Sequence, residues 1–264
     1  MIFPIIEEEN ISLRNSRSFG SVKTGYLGAS ADRILKSWKL VTKKYKIADG
    51  AILRILKTME QAHIINFGGD VVSFFYWLDI LEKGGATGIK NLVQTLLREK
   101  SSDSILSHVF VGFVAAKYVE DHRVELTVRK KENGTDLRID GWKCDGKIRM
   151  GFWEPLSADL TSCNKDNWKS LSELAQKEID RIFQRAVHAF EKQGADVVFV
   201  DVERTSVGIQ MFLTLESLID SKEIIGLPRL AKGMMVFHAR FDEKDYWKTI
   251  VITDEEIRKG RFEN

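Results

Sequence analysis

Apolar residues recur every three or four positions from residue 31 to about residue 119, which is the spacing of amphipathic helices. The first 30 residues lack this periodicity and are interpreted as a short strand or arm followed by a loop. Ser30 and Asp49 are suited to cap the first two helices. A strongly apolar helix that begins at Asp103 or Ser104 is expected to be buried. The predicted helices cover residues 31–45, 49–59, 70–81, 88–98 and 104–119.

The period then changes from helix to strand. Val124–Val128 alternates, Asn133 and Gly134 signal a turn, and Leu137 and Ile139 alternate again. Residues 142–146 are interpreted as a loop before a third short strand at 148–152. These three strands are expected to form a meander.

The remaining pattern predicts one long helix followed at once by a strand. The helix covers 167–193 and is stopped by Gly194, and the strand at 195–202 is apolar enough to be covered on both faces. A further helix around 212–219 and a hairpin of 234–241 with 248–253 complete the predicted elements. No internal repeat is visible.

Composition places the chain among ordinary soluble globular proteins. Of its 264 residues 44% are hydrophobic and 30% charged, with only three prolines, which argues against disorder and collagen-like repetition. No apolar run reaches the roughly 20 residues that span a bilayer. The N-terminus does not resemble a secretory signal, and Cys144 and Cys163 lack the spacing of a zinc site. We therefore expect a cytoplasmic protein with no membrane association.

Charge is distributed unevenly, although the net charge is only +2. Residues 31–60 contain eight basic and three acidic side chains, and residues 129–149 contain seven basic and four acidic ones. Each patch could face phosphate groups, or could be a solvated helix face and a lysine-protected edge strand. The candidate nucleic-acid-binding residues are Lys36, Lys39, Lys43, Lys44, Arg129, Lys130 and Lys131.

The order helix, three strands, helix, strand between Ser104 and Val202 resembles the core of the PD-(D/E)XK nuclease superfamily. The residues that carry the resemblance are 133–139 (NGTDLRI) on the second strand and 149–154 (RMGFWE) on the third. It implies a restriction endonuclease-like α/β fold with an αβββαβ core. We expect a helical N-terminal region at 1–100 and the nuclease-like core with a C-terminal hairpin extension at 101–264.

The resemblance also implies a metal site. In that superfamily an aspartate opening the second strand and a glutamate on the third hold one or two Mg²⁺ (or Mn²⁺) ions, and a lysine two positions beyond the glutamate helps to position or activate the attacking water. Asp136 matches the first acid and Glu154 the second. The position of the lysine is occupied by Leu156, so Lys165 and Lys169, on the following helix, are the candidate substitutes.

Structural interpretations compete with these assignments. Asp136 follows Asn133 and Gly134 and is equally well read as a turn residue, as are Asp140 and Asp145. Glu154 stands beside a proline at a strand end, where loop carboxylates are common. His108 could face the cleft but is more readily read as a buried histidine bonded to backbone. The polar residues that could border the cleft are Glu178, Asp180, Gln184, Asp201 and Glu203.

Other catalytic classes find less support, because the sequence has no phosphate-binding P-loop, no GxSxG elbow and no HExxH motif. The favoured hypothesis is a nucleic-acid-processing protein, in its active form a metal-dependent nuclease. The alternative is a catalytically inactive nuclease-like module that binds nucleic acid or a protein partner. A third hypothesis places the function in the helical N-terminal region. A homodimer is compatible with each of them.

Overall fold

The fold is mixed α/β, with five helices and seven strands in the described part of the chain. This computed structural model describes residues 31–48, 50–51, 54–55, 67–128, 134–148, 165–202, 222–224, 226–241 and 244–252. The helices are α1 (Ala31–Tyr45), α2 (Phe67–Lys83), α3 (Ile89–Leu96), α4 (Ser102–Tyr118) and α5 (Lys165–Lys192). The strands are β1 (Val124–Leu126), β2 (Leu137–Ile139), β3 (Trp142–Ile148), β4 (Val197–Asp201), β5 (Lys222–Ile224), β6 (Met234–Phe241) and β7 (Lys244–Val251).

The chain divides into two compact units. One comprises Met1–Asp121 with Asp242–Lys244, and the other comprises His122–Phe241 with Asp245–Asn264. Helix α4 therefore belongs by its contacts to the first unit. The domain boundary near residue 100 stays a prediction from the sequence.

Helix packing in the first unit depends on apolar and polar contacts between α1, α2 and α4. Between α1 and α2, the buried Ser37 hydroxyl donates to the Asp79 carboxylate at 3.0 Å. Between α2 and α4, the rings of Trp77 and Phe113 lie 5.1 Å apart. The apolar helix predicted near Ser104 is confirmed as the buried α4, which Ser101 caps by accepting the Ser104 N–H.

The second unit is built on one mixed sheet with the strand order β1-β2-β3-β4-β6-β7-β5. Strands β1, β2 and β3 are antiparallel neighbours, so the antiparallel meander is confirmed, with its third strand at Trp142–Ile148 rather than at the predicted 148–152. Strands β3, β4 and β6 run parallel. The predicted long helix is α5, which connects β3 to β4 and supplies a crossover between parallel strands.

One face of the sheet, which we call the α5 face, is defined by the residues of β4 and β6 that pack with α5. Ile182, Phe183 and Ala186 of α5 form a buried core with Val198, Val200 and Phe237. The rings of Phe183 and Phe237 lie 6.2 Å apart. Because strand side chains alternate, this register decides which other residues share the α5 face.

Two sequence interpretations are corrected here. Residues 142–146 are not a loop but the greater part of β3. The second hairpin strand begins at Lys244 rather than near residue 248. The helix predicted at 212–219 lies outside the described residues. Of the helix predicted after Asp49, the structure describes residues 50, 51, 54 and 55, all of which are helical.

No helix in the described ranges is both long enough and apolar enough to cross a bilayer.

Candidate functional site

The candidate site is organised by the tight turn between β2 and β3. Asp140 and Gly141 link Ile139 to Trp142, with φ angles of +49° and +90°. Positive φ at both central residues is the geometry of the two-residue type I′ hairpin, for which Asp-Gly is a preferred sequence. Asp140 is held there because its carboxylate accepts the Arg123 N–H at 2.9 Å and lies 2.6 Å from His122 Nδ1.

This turn sets the register of β2 against β3. Leu137 lies opposite Cys144, and Arg138 lies opposite Lys143. Extending the same register by one residue places Asp136 opposite Asp145. Directly opposite residues of an antiparallel pair share a face, with Cβ atoms about 4.5–5.5 Å apart. We call Asp136 and Asp145 the acid pair.

Asp136 marks the point where backbone hydrogen bonding between β2 and β3 gives way to a side-chain hydrogen bond. Its carbonyl oxygen accepts the N–H of Thr127 at 2.9 Å, which continues the pairing with β1. On the other side, its carboxylate Oδ2 accepts the N–H of Gly146 at 3.1 Å. A side-chain oxygen, rather than a β2 carbonyl, thus satisfies a backbone donor of β3. This bond holds the half-buried Asp136 carboxylate at the edge of β3.

Asp145 is buried, with 2% of its surface exposed. It lies opposite Val198 of β4, so it shares the α5 face. The interpretation of Asp145 as a turn residue is therefore wrong, whereas that of Asp140 is confirmed. Burying a carboxylate inside a sheet is costly unless partners or a cation compensate it. Asp145 therefore places a buried carboxylate on the α5 face of the sheet.

Lys147 is the second residue after Asp145 in β3. Residues two apart in a strand fall on the same face of the sheet. The segment Asp145-Gly146-Lys147 therefore places a lysine two positions after an acid, on the third strand of the meander. This spacing was the available signal in the sequence. The composition of residues 142–146 is typical of a loop, so the sequence alone points to Glu154 as the second acid and hides this spacing.

The donor chemistry of the acid pair fits a hard divalent cation. Mg²⁺ is usually held by one or two carboxylates, together with waters and substrate phosphates. The Asp136 carboxylate accepts the Gly146 N–H, and because a carboxylate has several lone-pair sites this bond does not by itself prevent it from binding a cation. Within the described ranges no cluster of three or more His, Cys, Asp or Glu side chains is suited to hold a metal ion. A cation here would therefore depend on two carboxylates and on substrate.

The structure places the other predicted metal-site residues only in part. Glu154 lies outside the described residues, so its role stays a prediction. Lys165 opens α5 and Lys169 lies one turn later, but their side chains are outside what the structure describes. Neither lysine is needed to complete an acid and lysine motif on β3, since Lys147 supplies one.

The predicted basic residues fall into two groups. Arg129, Lys130 and Lys131 lie outside the described residues. Lys36, Lys39, Lys43 and Lys44 are exposed on α1. Positions 36, 39 and 43 follow helical spacing and form one stripe, opposite the buried Ser37 and Val41. The ammonium group of Lys44 forms an ion pair with Glu82 of α2.

Two further polar residues from the sequence have contacts of their own. His108 lies in α4 of the first unit, where its Nε2 atom is 3.4 Å from Glu99 Oε1. Asp201 follows Val200 in β4, so it lies on the opposite face of the sheet from Asp145. There it is buried 3.4 Å from His238 Nδ1, and the His238 ring lies 4.7 Å from that of Trp247.

Comparison of the chain with protein-family models, with curated proteins and with solved structures found no match.

Proposed function

We propose that this protein is a metal-dependent phosphodiesterase that cleaves nucleic acid, with Asp136, Asp145 and Lys147 at its active site. The observation that carries the proposal is the register that sets Asp136 opposite Asp145. A buried carboxylate and a backbone-oriented carboxylate then face the same side of one sheet. Two carboxylates held this close repel each other when both are charged, and a divalent cation bound by both would offset that repulsion.

The order of elements supports the proposal independently of the acid pair. The chain runs α4, β1, β2, β3, α5, β4, with an antiparallel meander followed by a parallel strand. This is the element order on which the resemblance to PD-(D/E)XK nucleases rests. The proposal moves the second acid from Glu154 to Asp145, and the lysine from Lys165 or Lys169 to Lys147. Asp145 and Lys147 then have the (D/E)XK spacing for which that superfamily is named, so no lysine from the following helix is required.

Each residue of the proposed site has a separate task. Asp136 and Asp145 would hold Mg²⁺ or Mn²⁺, and the Gly146 N–H would keep the Asp136 carboxylate in place while it does so. A divalent cation supplies positive charge at the scissile phosphate and lowers the pKa of water. Lys147 would position the attacking water, as the resemblance implies. The exposed lysines of α1 would add attraction for the phosphate backbone.

The test is a cleavage assay on single- and double-stranded DNA and RNA, with Mg²⁺, with Mn²⁺ and with EDTA. Wild-type protein should cleave at least one substrate only when the metal is present. Asp145→Asn and Asp136→Asn should lower the rate at least about a thousandfold, since both replace a carboxylate ligand with a neutral amide. Asp121→Asn is the matched control, because Asp121 is an exposed aspartate in the first unit.

Lysine and glutamate variants then decide between the two assignments of the site. Lys147→Met should abolish cleavage, whereas Lys165→Met, Lys169→Met and Glu154→Gln should retain it. Full activity in Asp145→Asn together with loss in Glu154→Gln would restore the assignment made from the sequence. Binding of oligonucleotide without metal-dependent cleavage would instead identify a nuclease-like binding module.

A further inference from the structure

Two exposed cations stand beside the acid pair on the same strands. Arg138 of β2 and Lys143 of β3 are directly opposite each other in the ladder. Both side chains are exposed. Each lies two residues from a member of the acid pair, Arg138 from Asp136 and Lys143 from Asp145. All four residues therefore share the α5 face.

The two cations repel each other in the free protein. Like charges directly opposite in an antiparallel pair destabilise the sheet. Among the described residues, the structure records no ion pair for either the Arg138 or the Lys143 side chain. The nearest acids by register are Glu125, opposite Arg138 in β1, and Asp196, whose carboxylate accepts the backbone N–H of Lys143 at 3.0 Å.

A bound anion would relieve this repulsion, and the position of the cations indicates which anion. Residues two apart in a strand are separated by about 6.5–7 Å, from a rise of about 3.3 Å per residue. Arg138 and Lys143 thus lie about 6.5–7 Å along their strands from the acid pair. A group held by Arg138 and Lys143 would be close to, but distinct from, a phosphate at the acid pair.

We propose that Arg138 and Lys143 form a phosphate-binding subsite for a second phosphate of the same nucleic-acid strand. This inference rests on the proposed function and narrows its substrate to a polynucleotide, rather than a small molecule with a single phosphodiester. Arg138 supplies a planar fork of donors that matches two phosphate oxygens, and Lys143 supplies a compact charge. The two cations anchor the strand while the acid pair acts on the neighbouring phosphodiester.

The experiment measures oligonucleotide binding in EDTA, so that cleavage cannot contribute. Fluorescence anisotropy with labelled single-stranded and duplex DNA and RNA is recorded over a series of salt concentrations. The variant is Arg138→Gln/Lys143→Gln. The matched control is Arg185→Gln/Lys192→Gln, which removes the same charge from two exposed residues of α5 in the same unit.

The subsite variant should bind about tenfold more weakly, or weaker still, at moderate salt. Its logarithmic salt slope should be shallower by about 1.4 for single strands or 1.8 for duplex DNA, which corresponds to two lost phosphate contacts. The control should keep the wild-type slope. The Tm of the subsite variant should equal or exceed that of wild type, because the like-charge pair has been removed.

Equal slopes for the subsite variant and its control would overturn the subsite, as would absence of binding by wild-type protein. An acidic protein partner would be the better candidate in the second case. The same measurements distinguish failure of the phosphate-binding subsite from failure of the proposed nuclease activity. A weakened salt slope without any metal-dependent cleavage supports the subsite and overturns the nuclease. Metal-dependent cleavage of polynucleotides at the wild-type rate by the subsite variant does the reverse.

Discussion

The carboxylate of Asp136 accepts the backbone N–H of Gly146 at 3.1 Å, so a side chain closes the ladder between β2 and β3 where the backbone of β2 no longer does. The backbone carbonyl oxygen of Asp136 also accepts the N–H of Thr127, the residue that follows β1. Asp136 therefore links three strands through two different groups. This makes the residue important for the structure of the sheet edge as well as for the proposed chemistry.

Asp136→Ala and Asp136→Asn should separate these two roles. Alanine leaves the buried Gly146 N–H without its acceptor, which should cost about 1–3 kcal/mol in the free energy of unfolding. Asparagine retains an oxygen that can accept the bond, so it should cost less than alanine while still abolishing cleavage. Urea denaturation measures both values. Equal destabilisation by the two substitutions would show that the bond does not contribute to stability.

The turn at Asp140 should make stability depend on pH at the acidic end. The hydrogen bonds from His122 and from the Arg123 N–H lower the pKa of Asp140 below the ordinary value of 3.8. Because the folded-state pKa is depressed, the stabilisation is fully present above about pH 4 and is lost as the pH falls through the folded pKa. Asp140→Asn preserves the φ of +49°, since asparagine tolerates that conformation, but it removes the charge.

The Tm difference between wild type and Asp140→Asn should therefore be present at pH 7 and shrink as the pH falls below about 4. Direct titration of the Asp140 carboxylate by NMR should give a pKa below the ordinary value of 3.8. A Tm difference that does not vary between pH 7 and pH 3 would contradict this account.

Cys144 should be chemically inert in the folded protein. It is fully buried, and burial raises the pKa of its thiol well above the ordinary value of 9.0. Only the thiolate reacts with alkylating reagents. In a Cys163→Ser background, labelling with iodoacetamide at pH 8 should be negligible until urea unfolds the chain. Labelling of the native protein within minutes would show that Cys144 is accessible.

Gly112 should tolerate no larger residue, because α2 and α4 approach each other there. A Cβ built at Gly112 would lie 3.0 Å from Cε2 of Phe74. Gly112→Ala should destabilise the protein by about 1–3 kcal/mol through overpacking. Gly50→Ala is the matched control, since nothing lies within 4 Å of its Cβ position, and it should be neutral or stabilising. Similar losses in Tm for both variants would contradict a packing origin.

The basic stripe of α1 should contribute to nucleic-acid binding. Replacing Lys36, Lys39 and Lys43 with glutamine should reduce the salt slope by about 2–3, for three phosphate contacts. Lys44→Gln should instead leave nucleic-acid binding unchanged and lower the Tm, because Lys44 forms an ion pair with Glu82. An unchanged salt slope in the triple variant would identify the stripe as a solvated helix face.

The helices and most strands could be predicted because their signals are local. The period of α4 and the length of α5 are visible in any short window of sequence, and the structure confirms both. β3 was misread for an equally physical reason. Asp145 and Gly146 are polar and small residues typical of loops. They are tolerated in a strand here because Asp136 satisfies the Gly146 N–H, which local sequence does not reveal.

The sequence by itself determined the alternation of helix and strand, the Asp-Gly turn after Ile139 and the stripe of lysines on α1, since each depends on neighbouring residues. Only the tertiary structure decided that Asp145 lies opposite Asp136. This placement follows from the register of the β2–β3 hairpin. The parallel pairing of Cys144 with Val197 then buries Asp145 in the sheet. Burial and cross-strand proximity arise from contacts between segments far apart in the chain, and they are set by the packing of the whole sheet.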